Sequence, residues 1–95
     1  MKIKVEVILD LAQVLGQREI EVEVPEESTL RTLVRYLTDR YGETLKKKLI
    51  RTDTCEPYPY FRFMVNGRDI VGLQGLDTPL VEGDTVLVIP PAAGG

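Results

Sequence analysis

The sequence contains no histidine and a single cysteine, Cys55. Histidine is a common general base and the commonest metal ligand, and a lone cysteine cannot form an intrachain disulfide. A structural zinc site is therefore excluded, because carboxylates alone would have to hold the metal. The residues also compose no Ser-His-Asp or Cys-His set and no phosphate-binding Gly-Lys loop. We therefore expect any chemistry on this chain to be catalysed by partner proteins.

An excess of basic charge and a long apolar run are missing as well. Twelve Lys and Arg against 15 Asp and Glu give a formal net charge of −3, which excludes the basic stripe of a nucleic-acid-binding protein. No segment approaches the ~20 apolar residues of a membrane span, and Met1-Lys2 leads into a strand pattern without the apolar core of a signal peptide. We expect one cytoplasmic domain without membrane contact.

Two segments near the start alternate between apolar and charged residues, which is the pattern of half-buried strands. They run from Lys2 to Leu9 and from Arg18 to Val24, with a turn around Gly16. The side chains predicted to point inward are Ile3, Val5, Val7, Leu9, Ile20, Val22 and Val24. The outward side chains of the second strand are Glu19, Glu21 and Glu23. These glutamates either deter edge-to-edge aggregation, which we favour, or dock a basic partner.

The next segment has helical periodicity. Pro25 ends the second strand, Ser28 or Thr29 can cap a helix, and Gly42 can end it. The apolar stripe predicted to face the sheet consists of Leu30, Leu33, Val34, Leu37 and Tyr41. The predicted solvent face consists of Arg31, Arg35, Thr38, Asp39 and Arg40.

A short helix and a loop are predicted to follow. Leu45 and Leu49 are four residues apart, which indicates a helix over residues 43–50. Residues 51–59 contain two prolines and no periodicity, which is typical of a loop. Cys55 lies in this loop among acidic neighbours, which do not stabilise a thiolate, so we assign it no function.

The last third of the chain returns to strands. The chain alternates from Tyr60 to Val65, and Asn66-Gly67 is a strong hairpin signal. The final strand runs from Thr85 to Ile89. The side chains predicted to be buried here are Phe61, Phe63, Val65, Leu73, Leu76, Leu80, Val86 and Val88.

This order of elements predicts an α+β fold. A hairpin, a helix and the later strands can form one mixed sheet, with the first and last strands parallel at its centre and the helix packed across it. This is the ubiquitin-like β-grasp layout. We predict a domain over residues 1–89 and an extended tail over residues 90–95.

The predicted tail consists of Pro90, Pro91, Ala92, Ala93, Gly94 and Gly95. The prolines favour a polyproline II path, which would extend the tail by roughly 18 Å at ~3.1 Å per residue. Beyond the prolines no side chain exceeds a methyl group. Such a thin arm can carry a carboxylate into a narrow channel, where a Cβ at the last positions would collide with the walls. The alternative is an ordinary frayed terminus.

Four segments carry a resemblance that spans nearly the whole chain: residues 66–70, residues 76–80, Gly83-Asp84 and the tail. Together they resemble the small subunit of molybdopterin synthase, a sulfur-carrier family. One departure is that residues 46–59 look longer than in compact members of the family.

The resemblance implies a function for Gly95. An adenylating enzyme similar to ubiquitin's would use ATP to activate the Gly95 carboxylate, and a persulfide donor would convert it to a thiocarboxylate. The large subunit of the synthase would then receive the tail for sulfur transfer to a pterin, while the chain itself binds no cofactor. A ubiquitin-like protein modifier, a thiamine-type sulfur carrier and an interaction module with an idle tail remain alternatives.

Four apolar side chains are predicted to point outward on the helix-free face of the sheet, namely Ile8, Met64, Leu87 and Ile89. Contiguous apolar patches tend to mark interfaces, so we predict that partners dock on this apolar patch at the root of the tail. The alternative is that residues 46–59 fold over the patch and bury it.

Overall fold

The computed structural model describes residues 1–91. Within these residues there are five strands and three α-helices, in the order β1 (Lys2–Val7), α1 (Asp10–Leu15), β2 (Glu19–Glu23), α2 (Leu30–Tyr41), α3 (Glu43–Leu49), β3 (Arg62–Val65), β4 (Arg68–Asp69) and β5 (Thr85–Ile89). Two short 3-10 turns, Ile70–Gly72 and Gly75–Asp77, connect β4 to β5.

The strands form one mixed sheet in the order β2-β1-β5-β3-β4. The first and last strands are parallel neighbours at its centre, with Val5 opposite Val86, and the other pairings are antiparallel. The apolar side chains of the central strands are buried on the face that carries the helices. The predicted β-grasp fold is confirmed. None of the helices within residues 1–91 is long and apolar enough to cross a membrane.

The connection between β1 and β2 differs from the predicted turn. β1 ends at Val7, and Leu9, predicted to point inward, adopts a φ of 57° and is 58 % exposed. Helix α1 follows and ends at Gly16, which has the left-handed φ of 77°. The prediction for Leu9 is wrong because α1 buries Leu11 and Leu15 instead, four residues apart on one helical face.

Helix α2 has the predicted bounds and cap. The Thr29 side chain accepts a hydrogen bond from the backbone N–H of Thr32, and the helix ends before Gly42. One residue of the predicted solvent face, Thr38, is buried, and its hydroxyl donates to the carbonyl of Arg35. That prediction is wrong because α3, which forms as expected, packs against α2 and covers part of its outer side.

The hairpin between β3 and β4 is closed by Asn66-Gly67, whose φ values of 51° and 82° are those of the predicted tight turn. Asn66 also anchors the start of β5. Its side-chain amide donates to Asp84 at 2.8 Å, and its side-chain oxygen accepts from the backbone N–H of Thr85 at 2.9 Å. Strand β3 itself begins at Arg62, two residues later than predicted.

The leucines of the β4–β5 connection differ in depth. Leu80 is buried, as predicted, but Leu73 and Leu76 are only partly buried against the core, as is Phe61 before β3. These three side chains lie outside regular strands, where alternation does not determine burial.

Candidate functional site

The candidate site is the end of the sheet at which β5 leaves the domain. β5 ends at Ile89, as predicted, and because β5 is a central strand the chain leaves between β1 and β3. Pro90 is buried and Pro91 is exposed. Of the predicted tail, only Pro91 is exposed within the described residues, and Pro90 is packed in the domain. The other four tail residues, Ala92, Ala93, Gly94 and Gly95, lie outside the described residues.

The predicted apolar patch is present on the helix-free face. Met64 and Leu87 are direct cross-strand partners, and both are half-buried. Val7 pairs with Val88 at the end of the β1–β5 ladder, and Ile8 and Ile89 are the residues that directly follow this pair. Ile8 is 37 % exposed and Ile89 is half-buried. The sheet register thus brings the four predicted side chains together at the root of the tail.

Residues 46–59 do not cover this patch. Helix α3 packs against α1 and α2, which lie on the other face of the sheet. The following loop stays on that side, because Ile50 and Pro57 form a β-bridge and Arg31 of α2 binds the Glu56 carboxylate at 2.6 Å. The alternative in which the longer segment buries the patch is therefore wrong for the described chain.

Charged side chains flank the patch on both sides. On one side, Lys4 of β1 binds Glu19 of β2 at 3.1 Å, and this hydrogen bond raises the pKa of Lys4. Glu6, which is half-buried, lies directly between Glu19 and Leu87 in the register. The flank formed by β1 and β2 is therefore mainly acidic.

The opposite flank carries a cation. Arg62 of β3 is the cross-strand partner of Ile89, and its guanidinium binds the Asp69 carboxylate through Nε at 3.2 Å and Nη2 at 2.9 Å. The other oxygen of Asp69 accepts from the backbone N–H of Val71 at 2.9 Å. The Val71 N–H and then the guanidinium lower the pKa of Asp69, so this carboxylate is charged near neutral pH.

Sequence reasoning missed Arg62 and Asp69 as members of this site. The signal was present, because Arg62 and Met64 are two apart on one strand and therefore share a face. Asp69 follows from the Asn66-Gly67 turn, which sets Met64 opposite Asp69.

Cys55 lies away from the apolar patch. It is exposed in the loop after α3, with a φ of 58°, and lines a cavity of about 200 Å³ on the helix side. The floor of that cavity is formed by the buried residues Val34, Thr38 and Ile50. The structure does not bring Cys55 to the root of the tail, and its lack of function stays a prediction.

The fold and the site define a ubiquitin-like β-grasp domain with an apolar patch on its helix-free face and a sequence that ends in Gly-Gly. The model of the ThiS family matches residues 5–95, and the chain belongs to this family.

Two curated relatives and one solved structure show what the chain is similar to. It is 34% identical over 95 residues to small archaeal modifier protein 3 of Haloferax volcanii, covering 100% of both chains. It is 34% identical over 81 residues to a putative sulfur carrier protein of Archaeoglobus fulgidus, covering 85% of this chain and 89% of the other. The structure of a putative molybdopterin converting factor, subunit 1, from Pyrococcus furiosus superposes with a TM-score of 0.76 and 28% identity, covering 97% of this chain and 99% of that one.

Proposed function

We propose that this protein carries sulfur as a thiocarboxylate on Gly95. The observation that supports the proposal best is the apolar patch at the root of a tail whose last four residues have no side chain larger than a methyl group. A partner that docks on the patch can receive the end of the chain in a channel too narrow for larger residues. In this proposal the domain is bound by the partner, and the carboxylate of Gly95 is the group that reacts.

Activation needs an adenylating partner, because a carboxylate is a poor acyl donor. The Gly95 carboxylate oxygen attacks the α-phosphorus of ATP and pyrophosphate leaves, which gives an acyl-adenylate. The terminal sulfur of a persulfide attacks the acyl carbon and AMP leaves. A second thiol then attacks the S–S bond, so that the two thiols become a disulfide and the thiocarboxylate remains on Gly95. The need for ATP and reduced thiols agrees with a cytoplasmic setting.

The acceptor that we propose is the pterin precursor of molybdopterin, with the large synthase subunit as the receiving partner. Support comes from the resemblance of residues 66–70, residues 76–80 and the proline-containing tail to the small synthase subunit. The converting-factor structure from Pyrococcus furiosus adds to this support. Sulfur transfer to the pterin, followed by attack of water on the acyl carbon of Gly95, would return the chain to its carboxylate form, so that it acts as a recycled cosubstrate.

Protein modification is the second candidate, because the full-length relative in Haloferax volcanii is a modifier protein. Here a lysine amine attacks the activated acyl carbon of Gly95 and forms an isopeptide bond as AMP or a thiolate leaves. The same docking patch and tail would serve this reaction, since the two functions differ only in the acceptor.

Intact-mass spectrometry separates the candidates. The protein is incubated with ATP, an adenylating enzyme from the same organism and a persulfide donor, with and without lysine-bearing proteins. Exchange of one oxygen for sulfur supports the carrier, and isopeptide-linked products support the modifier. The matched control has one residue appended after Gly95 and should give neither product. Normal reaction of this control, or an unchanged mass of the wild-type chain, contradicts activation at Gly95.

A further inference from the structure

Arg62 lies next to the apolar patch, at the end of β5 where the tail begins. It is directly opposite Ile89, the last residue of β5, and its side chain shares the helix-free face with the apolar patch. Directly opposite residues in an antiparallel pair have Cβ atoms about 4.5–5.5 Å apart. Arg62 is thus a cation beside the point where the tail begins, and the side chain is 66% exposed.

The Asp69 carboxylate orients the guanidinium of Arg62. The Val71 N–H fixes one oxygen of Asp69, and the other oxygen receives the Nε and Nη2 donors of Arg62. A guanidinium has five N–H donors, so three remain. Within residues 1–91, these three donate to no side chain or carbonyl. Asp69 therefore orients Arg62 without saturating it, and a second acceptor can bind at little cost in side-chain entropy.

The apolar patch cannot by itself set the rotation of a docked partner. Burial of apolar area is non-directional, whereas charged groups fix the register of an interface. Here Glu6 lies on one side of the patch beside the Lys4–Glu19 ion pair, and Arg62, with three N–H donors left after its pairing with Asp69, lies on the other. A partner rotated by half a turn would meet the wrong sign of charge at both flanks.

We infer that Arg62 is an orientation-determining contact that binds a carboxylate of the adenylating partner beside the entrance of its tail channel. This inference rests on the proposed function and adds the chemistry of recognition to it. Arg62 touches neither ATP nor the acyl carbon in this scheme. It is a positioning residue, so its loss should weaken productive docking more than the chemical step.

The hairpin offers a matched control. Arg68 is an exposed arginine on β4, but it is the cross-strand partner of the buried Val65 and therefore belongs to the helix side of the sheet. Arg62→Ala and Arg68→Ala thus remove the same side chain from opposite faces of one hairpin. Arg62→Gln keeps the length of the side chain and removes its charge.

The test is ATP–pyrophosphate exchange by the adenylating enzyme, measured as a function of carrier concentration. We expect Arg62→Ala and Arg62→Gln to raise KM roughly tenfold at low salt with little change in kcat, as for a charged interface contact. Arg68→Ala should match the wild type, and Arg62→Lys should recover part of the loss. The difference should shrink in 0.5 M salt, where the Debye length falls to roughly 4 Å.

Several outcomes overturn the inference. Equal KM values for Arg62→Ala and Arg68→Ala would do so, as would a KM rise in Arg62→Gln that salt does not change. If Arg62→Ala is unstable in a thermal melt, the KM of Arg62→Gln is compared with that of Arg68→Ala instead. A wild-type chain that supports no exchange removes the proposed function together with the inference. Normal wild-type exchange with unaffected Arg62 variants removes the inference alone.

Discussion

Truncation of Ile8 tests the docking patch with a magnitude that follows from its burial. Full burial of an Ile side chain is worth roughly 1.5–3 kcal/mol. Ile8 is 37 % exposed, so a partner can bury at most that remaining fraction. Ile8→Ala should therefore weaken partner binding by about 0.6–1.1 kcal/mol, or roughly three- to sevenfold in Kd.

The same substitution should cost the free protein about 1–2 kcal/mol, because the already buried part of the side chain is also lost. A domain of this size has a free energy of unfolding of roughly 5–15 kcal/mol and should stay folded. Kd is measured by calorimetric titration of the adenylating enzyme well below the melting temperature. Val81→Ala is the control, since Val81 is 63 % exposed and precedes β5 at the end of the strand far from the tail. Unchanged affinity of Ile8→Ala, or equal weakening by both variants, would refute the assignment of the patch.

Three further outcomes are expected. Gly94→Val should nearly abolish thiocarboxylate formation, because the branched side chain of valine widens the end of the tail. The same substitution should change the free energy of unfolding by under ~0.5 kcal/mol in urea melts. A normal yield of thiocarboxylate would contradict a narrow channel in the partner. Cys55→Ser should leave the yield unchanged with purified partners, and a lower yield would give the thiol a role. Asp69→Asn should be less stable than the wild type above pH ~4, because the folded pKa of Asp69 is lowered, and this difference should vanish as acid protonates the carboxylate. A pH-independent difference in melting temperature would show that charge is not the cause.

Much of the fold could be predicted because local patterns and long-range packing agree. Alternation identified the inward residues of β1, such as Val5, and helical spacing identified the buried stripe of α2 except for Tyr41, which is only partly buried. The Asn66-Gly67 turn then fixed the hairpin register. These features depend only on neighbours in the sequence, so one sequence suffices to read them.

Three predictions of side-chain environment were wrong, because the sequence pattern around each residue does not determine its burial. Thr38 looks solvent-facing on a helical wheel and is buried because α3 packs on that side of α2. Leu9 continues an apolar run but leaves the strand where α1 begins. Pro90 was expected on a free arm and is buried. The burial of Thr38 depends on packing by a separate helix, which the helical periodicity of α2 does not indicate.

The candidate site was predicted in its apolar part and missed in its charged part. The four patch residues follow from alternation together with the expected strand order. The role of Arg62 depends on which residue lies across from it, and that register is fixed only when β3 pairs with β5. Asp69, which orients Arg62, requires a further pairing with β4.

The parallel contact between the first and last strands links folding to the availability of the tail. Strand β1 is flanked by β2 and β5, so residues 2–7 have only one of their two neighbours until residues 85–89 have been synthesised. Pairings so far apart in sequence form late and slowly. The apolar patch contains Leu87 and Ile89 and is assembled in that same step. A full-length chain in which β5 has not paired with β1 and β3 would therefore lack the assembled apolar patch. If the proposed activation of Gly95 holds, the central position of β5 makes completion of the fold a condition for recognition by the adenylating enzyme.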